Sequence, residues 1–174
     1  MPIPTPACSP ASRSRCSVAG GHRRRAAAAL VAAVTPALED ARATRTERLT
    51  ERELGRLERA AATLANEESP GARRTLALSF PAESPTATPL AFVSLGGLPG
   101  NESTAADTAV SDVFAFRVAG DPRRVRRAET DLRVVRDGRV TTDDRALVLG
   151  GGESYTVTLR LVRRGGRRTV IVSI

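Results

Sequence analysis

The sequence predicts an α+β fold: one long N-terminal amphipathic helix followed by an antiparallel β-sheet or small β-sandwich. Three observations predict it. Leu54, Leu57, Ala61 and Leu64 recur at spacings of three and four, the helical period. From residue 72 onward the apolar period falls to two, in short runs broken by Gly, Pro and Asp. The chain, 174 residues with 41% hydrophobic side chains, is long enough for one domain with its own core. Only four Phe and one Tyr are aromatic and there is no Trp, so that core must be built from Val, Leu and Ala.

Residues 1–21, rich in Pro, Ser, Ala and Gly, are given no fold: a disordered extension, or one upstream of the true start, with Val18 as an alternative initiator. Residues 22–37 read as a signal-like leader. Arg23-Arg24-Arg25 precedes an unbroken apolar run at 26–34, and small residues follow, with candidate cleavage zones at 34–37 and 41–43, the first preferred because the second would consume the start of the helix. The competing reading takes 26–34 as the first turns of a soluble helix. The run falls short of the roughly 20 apolar residues that cross a bilayer.

The helix is expected over 38–68, with Thr35 as its cap and Pro36 in its first turn. Leu38 and Leu49 are placed on the same side as the 54–64 stripe. Thr50 with Glu53 could instead form a capping box and divide the segment into two shorter helices. Glu47, Glu51 and Glu58 with Arg48, Arg52 and Arg59 read as a solvated face with local ion pairs. Ser69-Pro70-Gly71 ends the helix.

The β-rich domain is expected over 72–174. Strands are predicted at 75–80, 90–95 and 110–118, with a polar connection at 99–108. A long strand follows at 124–136, with a bulge near Ala128. Asp137-Gly138 makes a hairpin turn into 139–142, and a short strand at 146–149 ends at Gly150-Gly151-Gly152. Tyr155, Val157, Leu159 and Leu161 alternate with Thr156, Thr158 and Arg160. Gly165-Gly166 then turns the chain into a last strand at 169–174.

Little in the chain can do chemistry. The one histidine, His22, and both cysteines, Cys8 and Cys16, precede residue 26. That removes Ser-His-Asp and Cys-His catalysis and the usual zinc sets from the body of the chain. Asp143-Asp144 is a loop pair that reads as turn chemistry, and Ser94 and Ser111 have no partner base. Gly150-Gly151-Gly152 is not followed by a helix or by Gly-Lys-Ser/Thr, so it is no phosphate loop. No enzyme, cofactor or metal is expected.

The formal charge is +8, all of it carried by 27 Arg and no Lys, against 19 acids. An Ala-, Gly-, Pro- and Arg-rich composition of this kind follows from GC-rich codons without selection for phosphate binding. Three Arg clusters stand out: Arg123-Arg124/Arg126-Arg127, Arg133/Arg136/Arg139, and Arg163-Arg164/Arg167-Arg168. The bland reading is protection of sheet edges by charge. The functional reading is an anion-binding hairpin tip made of Arg163, Arg164, Arg167 and Arg168. Nucleic acid is not the expected partner, because no aromatic side chain is interleaved with the arginines. Asn101-Glu102-Ser103 is a glycosylation candidate at Asn101 if the chain is exported.

The segments Ala41–Leu49, Leu57–Leu64, Gly71–Leu76, Phe116–Gly120 and Val157–Arg164 resemble an uncharacterised family of small secreted proteins from halophilic archaea, over about residues 23–174. Members tend to be encoded among type IV pilus-like and secretion genes. The resemblance implies an exported accessory or pilin-like component and carries no functional residue with it. The chain departs from that pattern in its basic charge and in the polar stretch before its leader.

The expected function is therefore a non-enzymatic, exported or surface-held accessory or structural protein, pilin-like or secretion-associated. Its expected partners are proteins at the cell surface or in a pilus-like assembly, with membrane contact available through residues 26–38. The alternative is a polyanion-binding module using the C-terminal hairpin.

Overall fold

A computed structural model describes residues 19–99, 112–136, 139–140 and 146–174, with side chains from residue 35 onward except at 136, 139 and 140. The elements are α1 (Ala19–Glu67), β1 (Arg73–Ser79), β2 (Leu90–Leu95), β3 (Val113–Val118), β4 (Arg124–Arg127), β5 (Leu132–Arg136), β6 (Arg139–Val140), β7 (Leu147–Leu149), β8 (Ser154–Arg164) and β9 (Arg167–Ser173). This is the α+β fold with one long helix that the periodicities predict. The described residues divide into two units, one ending at Leu38 and one over Glu39–Ile174, and every described strand belongs to the second.

The helix begins earlier than expected. It takes in residues 22–37, and Pro36 lies inside it rather than in its first turn, at the cost of one backbone donor. Its buried stripe is Thr46, Thr50, Leu54, Leu57, Ala61 and Leu64, each at most 2% exposed and spaced by three or four. Leu38 is 54% exposed and does not share that stripe. The capping box at Thr50 does not form. Thr50 Oγ1 donates to the Thr46 carbonyl at 2.9 Å, one turn back, so one helix continues where two were an option.

Two sheets pack with α1 around one core. The five-stranded sheet has the order β1-β8-β9-β5-β6 and the four-stranded sheet β4-β3-β2-β7. Leu57 and Leu64 of the helix share a single buried cluster with Leu78, Leu159, Leu161 and Val172 of the first sheet and Val93, Leu95 and Phe114 of the second.

The long strand predicted over 124–136 is two strands in different sheets. β4 pairs with β3, and β5 pairs with β9. The chain changes sheets through a corner rather than a bulge, and Asp112 and Asp131 pin it. Ala128 N donates to the Asp112 carbonyl at 2.7 Å and Leu132 N to Asp112 Oδ1 at 3.0 Å. Val170 N donates to the Asp131 carbonyl, and Thr169 Oγ1 to Asp131 Oδ2 at 2.6 Å. Because β5 arrives from the other sheet and not through a hairpin, its direction is free. It runs parallel to β9, unlike every other pairing among the described strands. The turn at 137–138 lies outside the described residues, though the Arg136↔Arg139 register brackets it.

β8 and β9 close as predicted. Gly165 (φ +56°) and Gly166 (φ +80°) both take positive φ, the pair of values that a type I′ turn between right-twisted strands requires.

Candidate functional site

The C-terminal hairpin outruns its neighbours. β1 pairs with β8 as far as Arg73↔Arg160, and β5 reaches β9 at Leu132↔Val170. Beyond those pairs only Val162↔Thr169, Arg163↔Arg168 and Arg164↔Arg167 remain, so the tip is a two-stranded ribbon. All four predicted arginines on it are exposed. β8 and β9 are interior strands, whereas β4 is a true edge with four exposed residues. Edge protection therefore suits β4, and suits the tip only over the few residues that pass β1 and β5.

The register divides the four arginines. Side chains alternate along a strand, and Val157, Leu159 and Leu161 face the core. Arg163 follows that parity, and Arg168 stands opposite it. Arg168 Nη2 donates to the Glu68 carbonyl just beyond α1, the kind of cation that suits a helix C-terminus. Arg164 and Arg167 stand on the other side of the ribbon. The predicted site is thus two pairs on opposite faces and not one cluster.

Arg164 and Arg167 continue the open face of the five-stranded sheet. On β8 that face carries Thr156, Thr158, Arg160 and the half-buried Val162; on β1 it carries Thr75, Arg73 and Ala77, and on β9 the half-buried Ile171. Arg73 is directly opposite Arg160, and Thr75 directly opposite Thr158. Ser79 and Ser154 share a hydroxyl–hydroxyl bond of 2.8 Å at the far end. No acid occurs among the open-face positions of β1, β8 and β9. Arg133 of β5 extends the arginine row through Ile171 and is held by Asp131 at 3.2 Å. Arg73 and Arg160 escaped the sequence reading because their pairing is a matter of register, although the alternation that puts Thr156, Thr158, Arg160 and Arg164 on one face was legible.

The first Arg cluster has a structural use. Arg124 Nε donates to Glu47 Oε1 at 2.5 Å, and Arg126 Nη2 to Glu58 Oε2. The Glu47 hydrogen bond, reinforced by its charge, raises the Arg124 pKa above its ordinary value. Glu47 and Glu58, expected to pair locally along the helix, instead reach across to β4; Glu53 has a local partner, Arg56, at 2.8 Å. The side chains of Arg136 and Arg139, the Asn101 sequon, Ser111 and Asp143-Asp144 lie outside the described residues.

Other constellations are structural as well. Ser94 Oγ, fully buried, donates to the Gly97 carbonyl at 2.8 Å. Two amides of the Gly150-Gly151-Gly152 turn are engaged: Gly150 N donates to Tyr155 Oη at 2.8 Å and Gly152 N to the Phe80 carbonyl at 3.2 Å. A Cβ at Gly151 would come within 3.0 Å of Leu90 Cβ and 3.1 Å of the Pro81 carbonyl, so close packing explains the glycine. A cavity of about 230 Å³ is lined by Asp40, Glu47, Asp121 and Arg124 among others, and its one cation is the Arg124 already bound to Glu47. Among the described residues no group of three or more His, Cys, Asp or Glu could hold a metal ion, and no helix is long and apolar enough to cross a membrane.

The profile of a family described as a domain of unknown function matches residues 26–174, most of the chain. No curated protein and no solved structure matches.

Proposed function

The chain belongs to the DUF7311 family, and from that premise we propose that it is a non-enzymatic accessory or structural protein, exported or held at the cell surface, that works by contact. The observation that carries this reading is the construction of the five-stranded sheet. One face is sealed by the shared core with α1 and the second sheet, and the other is left open with hydroxyls and arginines and without acid on β1, β8 and β9. A face of that kind is suited to docking rather than to acid–base chemistry. The basic and apolar sequence at 23–34 supports an extracytoplasmic setting. The resemblance to small secreted archaeal proteins encoded near pilus-like and secretion genes supports a surface assembly as the partner.

A reporter active only outside the cytoplasm, fused behind Leu38, tests the setting. Activity is expected, together with a mature chain that has lost the leader or keeps it in a membrane fraction. A full-length, soluble cytoplasmic chain with a silent reporter overturns the reading.

A second reading has its own support. The ribbon of Arg163, Arg164, Arg167 and Arg168 projects past both neighbouring strands, which suits a polyanion-binding tip.

A further inference from the structure

Arg73 and Arg160 face each other across β1 and β8, and Arg164 and Arg167 across β8 and β9, on the same open face. Like charges directly opposite destabilise a sheet. None of the four has a carboxylate partner among the described residues. The fold thus carries two adjacent repulsive pairs that an opposite charge at either position would relieve. The pairs lie four residues apart along β8, roughly 13 Å, and the two members of each pair sit about 5 Å apart. They are continued along the same plane by Thr158, Thr156 and Thr75.

We propose that this face binds a linear, carboxylate-bearing polysaccharide: Arg73, Arg160, Arg164 and Arg167 take its carboxylates, and the threonine rows take its sugar hydroxyls. The guanidinium fork matches a planar carboxylate in two parallel hydrogen bonds, and an acid between opposed arginines removes their repulsion. The hydroxyl rows distinguish a sugar polymer from a bare phosphate chain. The absence of aromatic side chains on β1, β9 and the tip removes the stacking on which single-stranded nucleic acid depends. A protein partner would call for an exposed aromatic or aliphatic anchor in the patch; Val162 and Ile171 share this face but are half-buried between its arginines. Arg163 and Arg168, on the opposite side, take no part. The proposal rests on the contact-protein reading above for its setting alone.

The test is titration of the purified full chain with polygalacturonate at low salt, with neutral dextran, dextran sulfate, duplex DNA and anionic vesicles as parallel arms. Saturable binding to polygalacturonate alone is expected, weakening steeply as salt rises. Arg160→Glu should raise the melting temperature of the free protein, by relieving Arg73, while weakening binding tenfold or more. The double variant R164Q/R167Q should also weaken binding tenfold or more, and R163Q/R168Q less than twofold. Equal losses in the two double variants, or equal binding to dextran sulfate, DNA or vesicles, overturns the proposal. So does the absence of polygalacturonate binding by a folded chain. Failure of the export reporter is a separate result, because the titration reads purified protein.

Discussion

Thr46 and Thr50 are polar residues with no exposed surface on the apolar stripe of α1, and their hydroxyls do different work. Thr46 Oγ1 lies 2.9 Å from the Thr88 carbonyl and so ties the helix to the loop before β2; the Arg42 carbonyl is 3.2 Å away. Thr50 only bonds back to a helical carbonyl. Thr46→Val should therefore cost about 1 kcal/mol in urea unfolding, while Thr50→Val stays near neutral. Equal costs would show that the Thr88 bond is not the tie. Tyr155 is a second small lock: its hydroxyl donates to Glu153 Oε2 at 2.7 Å and accepts from Gly150 N. Burial, then the bond to Glu153, raises its pKa above the ordinary value. The folded state thus holds this proton more tightly than the unfolded one. Its contribution is complete below the unfolded tyrosine value, near 10, and is lost as pH rises through the raised one. Tyr155→Phe should lower stability by about 1 kcal/mol at pH 8 and flatten the loss of stability above pH 10. An unchanged alkaline slope would assign that loss to other groups.

At the scale of elements, period and turn chemistry were legible wherever one face meets the core and neighbours in sequence are neighbours in space. The alternation of Val157, Leu159 and Leu161 specified β8, and Gly165-Gly166 specified its return. Gly166 sits at φ +80°, so Gly166→Ala should cost about 1–2 kcal/mol and Gly166→Asn less; an unchanged midpoint in both would remove the turn from the determinants of the hairpin. The single strand drawn through 124–136 failed for a different reason. Both halves have strand composition, and only the hydrogen bonds of Asp112 and Asp131 from other parts of the chain turn the corner between them. The helix face failed in the same way. Glu47 and Glu58 stand 11 residues apart, about 16 Å of helix, yet they meet arginines two residues apart on β4. No local rule joins those partners, and exposed pairs of this kind add only about 0.2–1 kcal/mol each.

Apart from a small separate cluster of Phe92, Leu98 and Ala115, the second unit folds around a main cluster fed by α1 and both sheets. Leu57 has no exposed surface at its centre. Leu57→Ala should cost about 2–5 kcal/mol, and fluorescence of Tyr155, on the five-stranded sheet, should report the full loss. A loss confined to helix signals would mean that helix and sheet unfold separately. The sequence by itself determined the fold class, most of the strands and the arginine tip, because periodicity, glycine turns and composition act over a few residues. Only the tertiary structure decided the sheet change at Ala128, the parallel β5–β9 pair, and which arginines share a face. Those depend on register and on contacts between segments distant in the chain, and a one-residue difference in register sends every side chain to the other face.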